Sequence, residues 1–286
     1  MKFLIVGADG QLGKEWVHIL SNRGENFSAH EFNDLDITNF EKLEEVVGIE
    51  NPDILINCAA YTAVDKAEEE VDLADLINNI AVKKIAQICK ANSIKLLHYS
   101  TDYVFSGTES DKNTYPNGYP ETANPSPVNA YGLSKLKGEQ AILNSNCDFL
   151  IIRLSWLCGL FGNNFVKTML KLSQTKDDLT IINDQFGAPT FTNQVVYNSL
   201  ELIYAAKTGI YHLGSSGITT WFDFAKAIFE IKNIDITIHP ISSSGYPTPA
   251  KRPHFSKLCT QKITKELNIH PQPWKHGLTN LLKYLE

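Results

Sequence analysis

Apolar residues fall along the first half of the chain in short bursts, separated by stretches where they recur every three or four positions. Phe3-Leu4-Ile5-Val6 is an unbroken burst, the pattern of a strand buried on both faces of a parallel sheet. Leu12, Trp16, Ile19 and Leu20 then share one side of a helix. Further bursts predict strands over 54–56, 94–99 and Phe149–Leu154, and 27–31 is the candidate second strand between the first two helices. Thr38, with Glu41 three residues on, predicts a capping box that opens a helix with Phe40, Leu43, Val46 and Val47 on its apolar face. Helical spacing also covers about 73–91 and 131–143. This alternation predicts an α/β fold, a Rossmann-like doubly wound parallel sheet with helices on both faces.

The texture then loosens. Pro116, Pro120, Pro125 and Pro127 mark a long loop over 106–130, and loops of that length inside compact domains are often functional. Later come a helix over Phe165–Ser173, a strand over 179–183 and a proline-rich stretch at 246–253. We expect a dinucleotide-binding domain over 1–155. Residues 156–286 should form mainly a smaller α/β substrate-binding lobe, with some later segments returning to the first domain.

Composition narrows the function classes. The net charge is −6 and the pI about 5.8, so no basic footprint invites nucleic acid. No apolar run approaches the roughly 18 residues of a membrane span, and the opening burst is too short for a signal peptide. Five cysteines lie far apart with no CxxC pair, which argues for free thiols, no zinc and a cytoplasmic setting.

The candidate chemistry begins at Gly7-x-x-Gly10-x-x-Gly13, between a strand and a helix. In a dinucleotide site Gly7 permits the tight turn and Gly10 the approach of a pyrophosphate. Gly13 allows close helix packing, and the helix-start amides face the phosphates. Glu31, at the end of the second strand, is the candidate for the adenosine ribose, where it would repel a 2′-phosphate; otherwise it is a solvated loop carboxylate. Asp36, followed by Ile37, could instead reach the adenine amino group. Small residues at Ala59-Ala60-Tyr61-Thr62 would let the backbone pass the cofactor. Tyr131 and Lys135 are four apart and share a helix face. A free phenol has a pKa of about 10, and a nearby ammonium would lower it and make Tyr131 a usable proton donor to a carbonyl. Thr101 and Asp102 end the fourth strand, where such folds bind ligands. The Thr101 hydroxyl could hold the carbonyl oxygen, and Asp102 a substrate hydroxyl. Lys251 and Arg252, set between prolines, offer cations to a diphosphate.

The glycine spacing resembles the extended branch of the short-chain dehydrogenase/reductase superfamily. Longer strings are more particular. Ala59–Glu68 is one, and Ser100-Thr101-Asp102-Tyr103-Val104-Phe105 is another. Tyr131-Gly132-Leu133-Ser134-Lys135, Arg153-Leu154-Ser155-Trp156, 164–170, 184–190 and 246–253 complete the set. Together they resemble the dTDP-4-dehydrorhamnose reductases over essentially the whole chain. The resemblance implies reduction of the 4-keto group of dTDP-4-dehydro-L-rhamnose by NADPH or NADH, the last step of dTDP-L-rhamnose synthesis. It implies Tyr131 as proton donor, Lys135 as its cofactor-binding partner, and Thr101 and Asp102 on the sugar. Gly10, Gln11, Leu12, Ala60, Tyr61, Thr62 and Tyr99 would border the cofactor, and Trp156 would pack on the sugar.

Some relatives bind Mg²⁺ at a dimer interface through glutamates. Glu15 matches one, but Asn193 stands where another is expected, and an amide is a poorer ligand. A metal-bridged dimer is therefore not expected, although the resemblance keeps Mg²⁺ among the candidate cofactors; no residue near the hydride path needs a metal, and either a monomer or a homodimer fits. Two other readings share the fold. One is a different nucleotide-sugar reductase or epimerase of the superfamily. The other is a non-catalytic subunit like the regulatory subunit of methionine adenosyltransferase, against which intact Thr101, Tyr131 and Lys135 argue.

Overall fold

The computed structural model describes residues 1–285. Its centre is a six-stranded, all-parallel sheet. In chain order β1 is Lys2–Val6, β2 Asn26–His30, β3 Ile54–Asn57, β4 Lys95–Thr101 and β5 Phe149–Leu154, and Gly209–His212 is the sixth strand. Across the sheet the order is Gly209–His212, β5, β4, β3, β1, β2. Strand order reverses at β1 and β3, which creates a crevice at their carboxyl ends, the usual ligand position in open α/β sheets.

The period-two geometry of a strand explains the bursts. Phe3 and Ile5 point to one face, against Trp16, Ile19 and Leu20 of α1 (Gln11–Arg23) and against Val195, Val196 and Leu200 of the Thr192–Tyr204 helix. Leu4 and Val6 point to the other, against Leu43 and Val47 of α2 (Phe40–Glu50) and Val82, Ile85 and Ala86 of the Ala81–Ala91 helix. Both faces are buried, so β1 carries no polar alternation. The helical stretch predicted over 73–91 runs from 71 to 91, with a π-helical segment at Leu76–Ile80 between two α-helical parts.

The predicted capping box at Thr38 does not form. The Thr38 hydroxyl and N–H both donate to Asp36 Oδ1, at 2.8 and 2.9 Å. Asn39 becomes the cap instead, accepting from Lys42 N at 3.2 Å. A local Asx turn captured the threonine before the helix could use it.

The second lobe packs its own core around a parallel pair, Asp178–Ile182 with Thr237–Ile241, and the helices Phe165–Ser173, Trp221–Lys232 and Trp274–Leu282. The chain returns to the first domain for the Thr192–Tyr204 helix and the Gly209–His212 strand. The long loop has a core of its own. Tyr119 is buried and stacks on Phe105 at 4.3 Å, beside Phe255 and Leu258 from near the chain end. No helix among the described residues is long and apolar enough to cross a membrane. The five cysteines are all free thiols.

Candidate active site

The glycine turn is shaped by contact as much as by conformation. Gly7 sits at φ 73°, and a Cβ there would lie 2.5 Å from Ala59 N. A Cβ on Gly13 would lie 2.2 Å from the Gly7 carbonyl oxygen, so α1 starts hard against the end of β1. Gly10 caps α1 and faces open space apart from a single contact at 3.4 Å, the arrangement a close-lying phosphate requires.

A cavity of about 660 Å³ opens over this turn. Gly10, Gln11 and Leu12 border it on one side, with Ala60 and Thr62 after β3. Tyr99, Thr101 and Asp102 from β4 and the turn beyond it form the floor, with Tyr131 and Lys135 from the Ala130–Leu143 helix. Trp156 closes the far side. The structure thus brings the turn and the tyrosine–lysine pair to one cavity. Gly7 and Gly13 shape the turn beneath it and do not line it. Glu31 is exposed just past β2, outside the cavity. Asp36 folds back onto Thr38, and Ile37 is buried in the core under the sheet. Tyr61 is also outside: its hydroxyl donates to Glu70 at 2.6 Å, and its N–H and carbonyl are both bonded to the Asn78 side chain.

The Ala130–Leu143 helix is fixed at its start. Asn129 accepts from Gly132 N at 2.7 Å and donates to the Lys251 carbonyl at 2.9 Å. The helix lies close on the Asp102–Val104 turn, since a Cβ on Gly132 would sit 2.2 Å from the Tyr103 carbonyl oxygen. That contact sets Tyr131 against Tyr103, ring edge to face at 5.5 Å.

One expectation is reversed. The Lys135 ammonium was expected to lower the Tyr131 pKa, but burial raises it well above the usual phenol value, with the Thr101 hydroxyl pulling the other way. Lys135, 2% exposed, does not point its charge at the phenol. It donates to the Tyr99 carbonyl at 2.7 Å and lies 3.2 Å from His98 Nε2. Its own pKa is pushed down to about 8 by burial, against Glu139. Asp102 is buried too, and burial raises its carboxyl to about 7. The Thr101 hydroxyl donates to its Oδ1 at 3.1 Å, while Oδ2 has no hydrogen-bond partner. A buried carboxyl oxygen without a partner, on a residue that lines the cavity, suits a ligand hydroxyl.

Trp156 holds φ at 47° and stacks on Trp221 at 3.5 Å. Trp221 donates to Gln185 Oε1 at 3.1 Å, which steadies the pair. Arg252 does not line the cavity. Its guanidinium is paired with Asp65, and Nη1 donates to the Tyr103 hydroxyl at 3.1 Å. Sequence reasoning missed Trp221, Asp65, Asn57 and His98. The last two gave a signal: Asn57 ends the apolar run of β3, and His98 interrupts the apolar residues Leu96, Leu97 and Tyr99 of β4.

The magnesium donors implied by the resemblance do not fit. Glu15 is 6% exposed and accepts from the Thr192 hydroxyl at 2.6 Å, while Asn193 Oδ1 accepts from Gln194 N. Among the described residues no cluster of three carboxylate, histidine or cysteine ligands exists.

This geometry meets a matching set of relatives. The family model described as the RmlD substrate binding domain matches residues 1–286. A dTDP-4-dehydrorhamnose reductase of Aggregatibacter actinomycetemcomitans is 38% identical, over all of this chain and 99% of that protein. A dTDP-4-keto-6-deoxy-D-glucose reductase of Streptomyces niveus is 35% identical over 99% of this chain and 97% of its own length. The crystal structure of a Bacillus anthracis dTDP-4-dehydrorhamnose reductase in complex with NADP superimposes with a TM-score of 0.94. It is 36% identical, over 99% of this chain and 98% of that one.

Proposed function

The chain belongs to the RmlD substrate binding domain family, and on that premise we propose that it reduces the 4-keto group of dTDP-4-dehydro-L-rhamnose to the hydroxyl of dTDP-L-rhamnose with NADPH. One observation carries the reading: the glycine turn, Thr101, Asp102, Tyr131, Lys135 and Trp156 all border one cavity. The nicotinamide supplies the hydride when bound. Gly10, Gln11 and Leu12 present the start of α1 to its pyrophosphate, and Lys135 binds the nicotinamide ribose.

Tyr131 holds the proton for the carbonyl oxygen. The raised phenol keeps that proton until charge develops on the oxygen, so donation is coupled to reduction. Thr101 shares the oxygen's position with its hydroxyl. Asp102 receives a sugar hydroxyl through its unpartnered Oδ2. Trp156, backed by Trp221, offers a flat apolar surface to the 6-deoxy face of the sugar. Arg252 takes the diphosphate after exchanging Asp65 for it.

A second reading is a reductase of another dTDP-4-keto sugar, favoured by the Streptomyces niveus relative. The test generates dTDP-4-dehydro-L-rhamnose in situ, adds this protein with NADPH, and follows absorbance loss with stereochemical analysis of the sugar. dTDP-L-rhamnose as product supports the proposal. NADPH consumption only with a different 4-keto sugar favours the second reading, and consumption with neither defeats both.

A further inference from the structure

Tyr103 borders the cavity and takes no part in the reaction described above. It sits on the turn directly after β4 and is held at several points. The Thr101 hydroxyl accepts from its N–H at 3.2 Å. Its carbonyl lies against Gly132 at the head of the Ala130–Leu143 helix, and its ring meets Tyr131 edge to face at 5.5 Å. Its hydroxyl oxygen accepts from Arg252 Nη1 at 3.1 Å.

That last bond fixes the direction of the hydroxyl. A guanidinium carries only N–H donors and no acceptor, so the Tyr103 oxygen must meet it with a lone pair. The hydroxyl's own proton is left over, since Tyr103 donates to no acceptor among the described residues. Burial raises the phenol above its ordinary pKa against the pull of Arg252, so the proton is present near neutral pH. A hydroxyl that accepts from a cation is polarised and donates more strongly.

Arg252 uses separate arms for its two partners. Nη1 holds the Tyr103 hydroxyl, and Nη2 holds Asp65 Oδ2. An anion that replaces Asp65 on Nη2 therefore leaves the bond to Tyr103 in place. A diphosphate carries oxygens on two phosphorus atoms and can meet more than one donor at once. We propose that Tyr103 is a further substrate-binding residue, which donates its hydroxyl proton to the diphosphate of the nucleotide sugar beside Arg252. The inference rests on the assignment of that diphosphate to Arg252 above, and adds a contact that neither Arg252 nor Lys251 supplies.

The donors are set in place by protein contacts alone. Asp65 Oδ1 accepts from Ala250 N at 3.2 Å, and Asn129 donates to the Lys251 carbonyl at 2.9 Å, so the 250–252 segment is pinned at successive residues. Little side-chain ordering of Arg252 or Tyr103 remains to oppose binding. Charge explains why a neutral donor matters here. Arg252 is already paired with Asp65, so a diphosphate gains from it only the difference between two anions. The Tyr103 proton gives up no protein partner when it meets a phosphate oxygen.

The contact can be read without turnover. Full-length protein saturated with NADPH is titrated calorimetrically with dTDP and with thymidine, in the parent and in Tyr103→Phe. The Phe ring keeps the edge contact with Tyr131 and loses only the hydroxyl. We expect the dTDP Kd to rise about tenfold or more, the size of a hydrogen bond to a charged group, while thymidine binds both proteins equally. An unchanged dTDP Kd overturns the proposal. So does an equal loss for thymidine, which would mark a general disturbance of the site. A crystal structure of the unaltered protein with dTDP should place the Tyr103 oxygen within about 3 Å of a phosphate oxygen. A separation beyond hydrogen-bonding distance overturns the proposal whatever the variant does, and decides the matter should the variant fail to fold. A protein that binds dTDP through Tyr103 yet reduces no dTDP-sugar would sink the reductase reading alone, and one that binds no dTDP defeats both.

Discussion

Replacing Tyr131 by Phe removes one oxygen from a site where everything else is held by other contacts. The ring keeps its edge contact with Tyr103 at 5.5 Å, and the helix keeps its cap through Asn129 and Gly132. The hydroxyl removed is buried, and the Thr101 hydroxyl has the largest effect on it after burial. Even a full neutral hydrogen bond there would be worth only about 1 kcal/mol of stability. A positioned general acid is worth about 10²–10⁴-fold in rate, or roughly 3–5 kcal/mol in the barrier. The two effects therefore separate. Urea melts of the Phe variant should stay close to the parent, and NADPH binding followed by fluorescence quenching should be retained. Turnover measured by absorbance loss with the 4-keto sugar should fall by at least a hundredfold. A variant that binds cofactor normally and keeps more than a tenth of the parent rate would refute the role given to this phenol.

Glu31→Ala should raise the ratio of kcat/KM with NADPH to that with NADH, because the carboxylate would otherwise repel the 2′-phosphate; an unchanged ratio means Glu31 does not face the ribose. Asp102 has a folded pKa of about 7 against an ordinary 3.8. It is protonated in the native state and ionised in the unfolded state between those values, so stability is greatest at low pH and is lost as pH rises through about 7. Asp102→Asn should flatten that fall in urea melts taken from pH 4 to 8, and a slope identical to the parent would contradict the assignment. Trp221→Ala should remove the backing of Trp156 and raise the sugar KM about two- to tenfold, more than it lowers kcat; an unaltered KM would show that the stack does not shape the sugar site.

What was legible in the sequence was local or periodic. Strands β1, β3, β4 and β5 show as apolar bursts because both faces of the sheet are covered there, whereas the edge strand β2 is only half-buried and carries no such burst. Gly7, Gly10 and Gly13 sit within one turn, and Tyr131 and Lys135 lie on one helix, so each set is fixed by spacing alone. The failures have physical causes. Thr38 lost its capping role to Asp36 two residues away, a competition that the capping pattern does not reveal. The Tyr131 pKa went up because Lys135 found the Tyr99 carbonyl and His98, both on a strand about 35 residues upstream. Trp221 and Asp65 enter through contacts with Trp156 and Arg252, far away along the chain, which no local pattern encodes.

The polypeptide crosses repeatedly between its two halves. It leaves the central sheet near Trp156, comes back at Thr190–Phe191 to enter the helix against α1, and departs again after Leu213. It returns once more through Phe255 and Leu258, and departs for the last time near Pro273. No single cut would therefore yield two independently folding pieces. Evolution or an engineer seeking a new sugar specificity cannot transplant the sugar-facing half as a cassette, and must work by individual substitutions around the mouth of the cleft.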